Sequence, residues 1–573
     1  MSASVKMPEP LLVRPKQNWV LAPVPDLLFI IATPLLAFAW AAVVFVNFGA
    51  AMVLSIFIVF NVAHHLPTFI RIYGDRDLLA RFRWSLLLGP VLPFSMAMLA
   101  VYYVIRSDFP VKNVMCLGLI LHLWDPWHFF MQHYGFMRIY DVNNRAPRKL
   151  ASRMDMLLCG SWFLMVMLGV VQWMPDLLYD IQCNHGIPLL RLFGSGGYVA
   201  LEQLVLVTTV ISSIAYLVYL RWCAVQGFFI SWAKILLFVI TFGVMYLAYI
   251  PNAAVQHVLP GWNFPMGFAA LGMVHVSQYL AIVWKYNRSL ATNKDHARPG
   301  LFRTTFARGG VLVVLGYVAC CLGYGYVLSP HPLGSILPAL SVKTSQWIVG
   351  TLIAVGFTST LLHYYYDGFI WKVRNKENQR HLAMQQSPDA ADHHTASWWD
   401  THNQSSILAT ILRQGLYFGL PILVVTVSYW MVTQNPLGDP YRQVQQSIEL
   451  SDDGFIDQSV QEAKLAIVGI NKQLEIERRM IEIRPRALHF TFVADLVYLK
   501  SLTTNRLIYR ADPATDAEAR SRHRLALATA IDSLEKALAT SGPFGHRKNP
   551  ELRREEVESL LARRRQEIDE IDK

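Results

Sequence analysis

The 573-residue sequence contains little charge and little cysteine. Only 16% of its residues are Asp, Glu, Lys or Arg, whereas 54% are hydrophobic, and this composition excludes an ordinary soluble protein. The six cysteines lie almost wholly in apolar stretches and include no CxxC pair, so neither a disulfide framework nor a thiolate metal site is predicted. A Walker loop, a dinucleotide-binding fingerprint and a Ser-His-Asp order are also absent. We therefore expect a membrane protein with a soluble appendage, whose chemistry does not depend on cysteine.

The net charge of +11 does not indicate a nucleic-acid partner. Lys and Arg lie mostly in short segments between apolar stretches and are not gathered on a soluble domain. Residues 1–25 contain charge and proline but lack the short apolar core and small-residue cleavage site of a secretory signal. We expect them to form a cytoplasmic N-terminal segment, followed by a first apolar stretch that stays in the protein as a helix.

Eleven stretches are apolar and long enough to cross a bilayer. A hydrocarbon core of roughly 30 Å requires about 20 apolar residues in a helix. The stretches that meet this requirement lie near residues 26–48, 51–71, 85–105, 113–137, 154–174, 198–220, 232–250, 265–285, 309–329, 346–370 and 412–432. The predicted fold class is therefore all-α, with residues 26–432 forming a polytopic membrane helical bundle of about eleven transmembrane helices.

The positions of Lys and Arg predict which side of the membrane each loop occupies. With a cytoplasmic N-terminus, most of the basic residues between helices fall in inner loops, Arg138 and Lys234 among them. The outer loops then contain only Arg106, Lys112, Arg191 and Lys343. This asymmetry is what the positive-inside rule requires. We expect a multi-pass protein of a bacterial inner membrane whose chain beyond residue 432 is periplasmic.

Residues 433–573 contain no further apolar span and are predicted to form an extracytoplasmic helical domain. The predicted helices are Ser459–Ile483, Ala487–Thr503, Asp516–Thr540 and Pro550–Asp572. Their pairing resembles tetratricopeptide helix pairs, with small residues at Ala530 and Ala537. Two repeats are fewer than the usual three, so a plain helical hairpin is nearly as good an interpretation. In either form the domain is expected to bind a protein partner.

Histidine is concentrated in the apolar segments. Seven histidines lie in the second, fourth, eighth and tenth stretches: His64, His65, His122, His128, His133, His275 and His363. Ionisable groups are costly to insert into a bilayer and usually serve a function facing the bundle interior. By the charge rule these four helices all run from outside to inside, which places the imidazoles between the midplane and the cytoplasm. We expect them to form one shared metal site.

Other polar side chains accompany these histidines at helical spacing. His363 and Asp367 are four residues apart, and so are His275 and Tyr279, with Gln278 between them; such pairs share a helix face. In the fourth stretch, one face is predicted to contain His122, Asp125, Gln132 and His133, with His128 toward its edge, although Pro126 should kink this helix. Possible ligands, or acceptors that fix an imidazole tautomer, are Asp125, Gln132, Gln278 and Asp367.

Imidazoles with a few carboxylates and no thiolate suit iron, copper or zinc. More than four histidines favour redox iron or two metal ions over a closed structural zinc site. Iron at a membrane interface can activate oxygen against a substrate that stays in the lipid. We therefore expect oxidation of a lipid-soluble molecule, with membrane lipid as the surroundings.

The set His64, His65, His122, His128, His133, His275 and His363 resembles, in kind, the histidine-rich membrane non-haem iron oxygenases. These include the fatty-acid desaturases and hydroxylases, the alkane hydroxylases and the carotene-cleaving Brp/Blh family. The resemblance is to a chemical plan over about 300 residues, because the spacings of six and five between His122, His128 and His133 do not reproduce the desaturase motifs. It implies that these histidines bind non-haem iron, as one ion or two, in a monooxygenase or desaturase. The electrons would come from a separate reductase, unless the reaction is that of a dioxygenase, which needs none.

Two other functions fit the same residues. Two histidines on facing helices could bind haem in an electron-transfer protein. Buried His and Asp could instead couple ions or protons in a transporter or an assembly platform. The sequence shows no inverted repeat between its halves, which counts against a transporter, whereas the helical tail counts for an assembly role.

Overall fold

The structure is a computed structural model. It describes residues 16–74, 76–106, 118–169, 195–249, 252–292, 310–329, 342–370, 407–419, 421–423, 439–540, 542–546 and 548–573, with shorter pieces between 175 and 190 and at 306–307. These residues form α-helices, several of which have π-helical ends, and they form no β-strand. The all-α prediction is confirmed for this part of the chain.

The helices of the apolar part are numbered here in chain order. They are α1 (Thr33–Ala63), α2 (His65–Gly74), α3 (Arg83–Leu88), α4 (Val91–Arg106), α5 (Gly118–Tyr140), α6 (Arg148–Leu164), α7 (Ser195–Val225), α8 (Trp232–Tyr249), α9 (Phe264–Thr292), α10 (Val311–Leu328), α11 (Val342–Ile370) and α12 (Ile407–Gln414). Short helical turns also lie at Pro23–Asp26, Arg76–Arg81 and Ala253–Val258.

Eight helical runs within the described residues are long and apolar enough to cross a membrane: Thr33–Gly74, Arg83–Arg106, Arg148–Leu168, Gly197–Val225, Trp232–Tyr249, Phe264–Thr292, Val311–Leu328 and Lys343–Asp367. Their outer faces expose large apolar side chains, such as Phe48 (67%), Leu217 (65%) and Leu312 (85%). Apolar side chains at this exposure suit contact with lipid and not with water. Both observations are consistent with a membrane protein.

The first of these runs reverses its direction at Gly49. Gly49 has φ 80° and ψ 175°, which is not helical and which glycine adopts at little cost. Before it, the contacts with α9 are antiparallel: the Ile30 carbonyl accepts from Gln278, and Phe45 packs on Trp262. After it, the contacts are parallel, because Phe57 packs on Phe268 and His64 on His275. The run is therefore a helical hairpin, as predicted by the separate stretches 26–48 and 51–71.

Two of the predicted spans are not among the eight runs. The stretch predicted at 113–137 forms α5, a 23-residue helix whose hydropathy is lowered by its histidines, Asp125 and Gln132. The stretch predicted at 412–432 is described only as far as residue 423, where α12 and a π-helical turn, Gly415–Gly419, form its start. The remainder of that prediction lies outside the described residues.

Small residues let the hairpin pack closely on its neighbours. A Cβ atom on Gly272 of α9 would lie 2.1 Å from the ring of Phe57, and one on Gly325 of α10 would lie 2.1 Å from the Val59 carbonyl. Close approach at small residues is how membrane helices gain packing contacts. The second half of α1 therefore lies between α9 and α10, and this places His64 and His65 in the interior of the bundle.

The described residues before α1 pack against the hydrophobic core of the bundle. Asp26 is fully buried and accepts hydrogen bonds of 2.6 Å from the backbone N–H groups of Val20 and Leu21. The Trp19 ring packs against Trp232 at 5.4 Å. Residues 16–25 of the predicted N-terminal segment are thus fixed in place, and residues 1–15 lie outside the described residues.

The second compact unit of the chain consists of residues 426–573 together with residues 171–203. Its numbered helices are α13 (Pro440–Asp452), α14 (Ile456–Ile483), α15 (Ala487–Leu502), α16 (Ala517–Ala539) and α17 (Arg554–Asp572). The four helices predicted for the tail are present to within four residues at each end, and α13 is additional. The described residues of 171–203, which the sequence assigned to the bundle, belong to this unit; Tyr179, for example, donates a 2.6 Å hydrogen bond to the buried Glu477.

Candidate metal centre

The histidines lie on α5, on α9, on α11 and on the segment in which the second half of α1 continues into α2, and these four segments run in the same direction. After Gly49, contacts between α1 and α9 advance in the same order along both helices, because Phe57 contacts Phe268 and His64 contacts His275. The helices α5 and α11 are also parallel, because Asp125 contacts Tyr364 and His128 contacts Asp367. The helices α2 and α11 are parallel as well, because His65 contacts Ser359 and Tyr73 contacts Tyr366. The common direction agrees with the prediction from the charge pattern.

Five of the seven predicted histidines lie in mutual contact, and we call His64, His65, His128, His275 and His363 the histidine cluster. The Nε2 atoms of His64 and His363 are 3.1 Å apart. The ring of His64 packs against the rings of His65 (4.5 Å) and His275 (5.0 Å). His128 packs against His275 at 4.8 Å and against His363 at 5.1 Å. The histidines of these four segments therefore occupy one place in the bundle.

Two overlapping groups in this cluster could hold a metal ion. In each of them the possible ligand atoms lie within 4.8 Å of one another: His64, His275 and His363, and His128, His363 and Asp367. His363 belongs to both groups. Its Nε2 lies 3.1 Å from His64 Nε2 and 3.7 Å from Asp367 Oδ2. Because the same nitrogen faces both groups, they are better described as parts of one site than as two separate sites.

The separation of the nitrogens fits a shared ion. Imidazole nitrogens about 2.1 Å from a common ion lie roughly 3.0 to 3.4 Å apart in octahedral or tetrahedral coordination. The 3.1 Å between His64 and His363 falls in this range. Asp367 adds a carboxylate, with Oδ2 3.4 Å from His128 Nε2. The donor set is thus imidazole and carboxylate, as the sequence predicted.

Several nitrogens of the cluster are buried without a hydrogen bond to any of the residues that the structure describes. They are His64 Nδ1, His65 Nε2 and both ring nitrogens of His275. Burying a polar atom without a partner costs on the order of 1–3 kcal/mol each. A hydrogen bond between His64 and His363 would satisfy their two Nε2 atoms but would leave both nitrogens of His275 without a partner among the described residues. A metal ion would use the lone pairs of several rings at once.

A network of hydroxyl groups supports His363 from the side away from His64. Thr68 Oγ1 lies 2.9 Å from His363 Nδ1, and it also hydrogen-bonds the Tyr279 hydroxyl. The same tyrosine donates a 2.9 Å hydrogen bond to Asp367 Oδ1. A proton held on Nδ1 beside Thr68 leaves the Nε2 lone pair directed at His64 and Asp367. Partners of this kind orient metal ligands.

His65 takes part in the cluster through its ring rather than through a metal group. Its ring is stacked on His363 at 4.8 Å with 28° between the planes. Its Nδ1 lies 3.1 Å from Ser359 Oγ. It lies in neither of the two ligand groups found among the described residues. His65 is therefore a neighbour of the metal ligands, and its Nε2 has no hydrogen bond to a described residue.

The remaining predicted residues lie elsewhere or act indirectly. The ring of His133 is buried against Phe242 at 5.2 Å and belongs to neither ligand group. His122 lies within α5, but its side chain is outside the described residues. Asp125 Oδ1 accepts a 2.5 Å hydrogen bond from Tyr364. The two glutamines link α5 to α9, because Gln132 donates hydrogen bonds to Gln278 Oε1 and to the His275 carbonyl.

The helical positions of the histidines and their i+4 partners were predictable, whereas Thr68 was missed. Thr68 is four residues after His64 and three after His65, so it shares a helix face with both. That spacing could have identified it. Ser359 has the same signal, because it lies four residues before His363, whereas Tyr364 has none, because its partner Asp125 comes from another helix.

We expect Tyr279→Phe to weaken metal binding roughly 10- to 100-fold, the usual cost of losing a group that orients a ligand. The variant removes the hydroxyl that bridges Thr68 and Asp367 while keeping the ring beside His363. Competition against a chelator would measure the affinity. Tyr286→Phe is the matched control, since Tyr286 is a buried tyrosine of the same helix that packs against Arg71. Equal affinities of Tyr279→Phe and the unaltered protein would contradict this role.

Comparisons with protein-family models, with curated proteins and with solved structures found no match for this chain.

Proposed function

We propose that the protein is a membrane-embedded, metal-dependent oxidoreductase that uses non-haem iron as an oxygenase or desaturase of a lipid-soluble substrate. The observation that carries this proposal is the convergence of the buried His64, His275, His363 and Asp367 with the partly buried His128 at one place in the bundle. The enzyme class, the metal and the substrate class all follow from the chemistry of this donor set and from its apolar surroundings.

Iron is favoured over the other metals that imidazole binds. Structural zinc sites are usually closed by four ligands, whereas this site offers four imidazoles and a carboxylate, with a fifth imidazole adjacent. Two or three histidines with a carboxylate are typical of non-haem iron centres that activate oxygen. When bound, iron would supply the one-electron chemistry that such reactions need. Copper is the nearest alternative for imidazole ligands.

The chain's own residues would prepare the site for that chemistry. Asp367 would neutralise part of the positive charge of a metal ion bound at this buried site. Tyr279 and Thr68 hold Asp367 and His363 in position. The burial of His64, His275 and His363 would keep water from the site, and this protects a reactive centre from side reactions. A separate reductase would deliver the electrons, because no nucleotide-binding motif is present in the sequence.

The contact distances favour a bare ion over haem. In a bis-histidine haem the porphyrin plane lies between the two imidazoles. The rings of His64 and His363 are in direct contact, with centroids 4.6 Å apart, and the rings of His65 and His275 also touch His64. A macrocycle cannot enter between rings that touch each other.

We also propose the predicted topology of eleven membrane-spanning helices. The reversal at Gly49 divides one of the eight runs into two, α5 adds another, and the apolar stretch 412–432 adds one more, which gives the predicted eleven. With a cytoplasmic N-terminus, the metal site lies toward the cytoplasm, and the helical C-terminal unit lies in the periplasm of a bacterial inner membrane. The tetratricopeptide-like hairpins of the C-terminal unit would then bind a protein partner in the periplasm.

Metal analysis of the full chain purified in detergent tests the proposal. We expect iron in a one-to-one ratio to the protein, together with an absorption spectrum that lacks a Soret band. The same preparation should consume oxygen when it is given a reductant and an apolar substrate. Protein that contains only zinc, or no metal after purification in metal-containing buffer, would overturn the proposed function, and a Soret band would replace it with the haem alternative.

A further inference from the structure

A small cavity lies directly beside His275. It has a volume of about 20 Å³ and lies between α5, α8, α9 and the end of α6. Its wall is mostly apolar and includes Phe129, Phe163, Met167, Met245 and Leu271. The lining residues that carry polar groups are His275, Asn61, Asp125 and Tyr249. The cavity therefore combines a mostly apolar wall with a few polar groups, of which His275 belongs to the histidine cluster.

The size of the cavity limits its occupant to one small molecule. At about 20 Å³ the space is small, and it has no room for a long acyl chain or a fused ring system.

The chemistry of the wall decides between water and an apolar gas. A buried water needs two to four polar partners, and apolar cavities remain dry and bind molecules such as xenon. The Phe, Met and Leu side chains offer no hydrogen bond to a molecule beside them. Asp125 Oδ1 is already bonded to the Tyr364 hydroxyl. The mostly apolar wall is suited to a molecule that needs no hydrogen bonds.

We propose that this cavity binds dioxygen and presents it to the histidine cluster. The inference rests on the proposed function, because the value of such a site depends on an oxygen-using metal centre. Dioxygen is a small apolar molecule, it fits the volume, and His275 both lines the cavity and belongs to a ligand group. The larger organic substrate must approach the cluster from another direction.

Xenon is the probe for this cavity, because it reports an apolar site without requiring turnover. Binding of xenon to the detergent-purified full chain can be followed by the chemical shift of ¹²⁹Xe as the pressure is raised. Two variants of Met167, a residue of the wall, act in opposite directions. Met167→Phe fills the cavity and Met167→Ala enlarges it. Met154→Phe is the matched control, since Met154 is a partly buried methionine of α6 that packs against a different cluster.

We expect saturable xenon binding in the unaltered protein and in Met154→Phe. The affinity should fall at least tenfold in Met167→Phe and rise in Met167→Ala, with an unchanged iron content in all of them. Met167→Phe should also raise the KM for dioxygen and leave the KM for the organic substrate unchanged. The opposite signs of the two Met167 variants separate a real cavity from a general loss of folding.

The failures of the two proposals can be told apart. Iron-containing protein without saturable xenon binding, or with binding that neither Met167 variant changes, would overturn the dioxygen cavity and leave the proposed function intact. Xenon binding that follows the Met167 variants in protein that contains no iron would overturn the proposed function, and with it the assignment of dioxygen to the cavity.

Discussion

Replacing His363 with alanine should remove the bound metal, whereas the same replacement at His133 should leave it in place. His363 is the one histidine common to both ligand groups in the described part of the chain, and its Nε2 lies 3.1 Å from His64 Nε2. Losing an outer partner alone costs roughly 10- to 100-fold in metal affinity, so the loss of a shared ligand should exceed about 100-fold. His133 is just as deeply buried in the same bundle, but it packs on Phe242.

The pair of variants separates a ligand from a buried imidazole. Both replacements remove a ring of the same size from the membrane bundle, so both create a cavity and both lower the stability to a similar degree. Metal content after dialysis, together with thermal unfolding in detergent, measures the two effects side by side. Similar metal content in the two variants would contradict the assignment of His363. A loss of metal in His133→Ala alone would place the site elsewhere on α5.

The difference between His128 and His133 shows how far a helical period could predict the site. The period placed His133 within the functional face of α5 and His128 toward its edge. In the structure His128 contacts His275, His363 and Asp367, whereas His133 faces α8. The helix is surrounded by neighbours on several sides, so its polar side chains do not all point at one of them. The side of the helix that faces the site is decided by contacts with other helices, and a single sequence does not reveal those contacts.

Predictions that depend on length and apolarity held better than those that depend on contacts. The hairpin at Gly49 and the four tail helices follow from local composition, and each is present in the structure. The packing of residues 171–203 with the tail depends on single contacts such as that of Tyr179 with Glu477. The hydroxyl of Thr68 likewise gains its role only when α11 is placed beside it.

The charge pattern misplaced several of the residues that it used. Arg71, Arg138 and Lys234 were predicted to lie in inner loops, but Arg71 is buried within α2. Lys234 is instead 1% exposed within α8, with its Nζ 2.8 Å from Asp141 Oδ1 and 3.2 Å from Asp155 Oδ1. Arg138 of α5 forms ion pairs with the same two carboxylates. The two cations and the two carboxylates therefore form one charge-balanced group that joins α5, α6 and α8.

Lys234→Met should strongly destabilise the bundle, although Lys234 lies outside the histidine cluster. It leaves Asp141 and Asp155, both with fully buried side chains, with Arg138 as the remaining cation of the group. Removing one partner of a buried ion pair costs about 3–5 kcal/mol, because the other charge stays buried without compensation. Methionine has nearly the length of lysine, so the change in packing is small. The midpoint of thermal unfolding in detergent should fall clearly below that of the unaltered protein.

Two further variants show whether charge is the cause. Lys149→Met removes an exposed lysine of α6 and should leave the midpoint nearly unchanged, because exposed charges contribute little. Lys234→Met combined with Asp141→Asn restores the balance, since Arg138 and Asp155 then remain as one pair. The double variant should therefore regain much of the stability that Lys234→Met loses. If it is as unstable as the single variant, or less stable, the loss comes from packing at Lys234, and the four residues do not act as one electrostatic group.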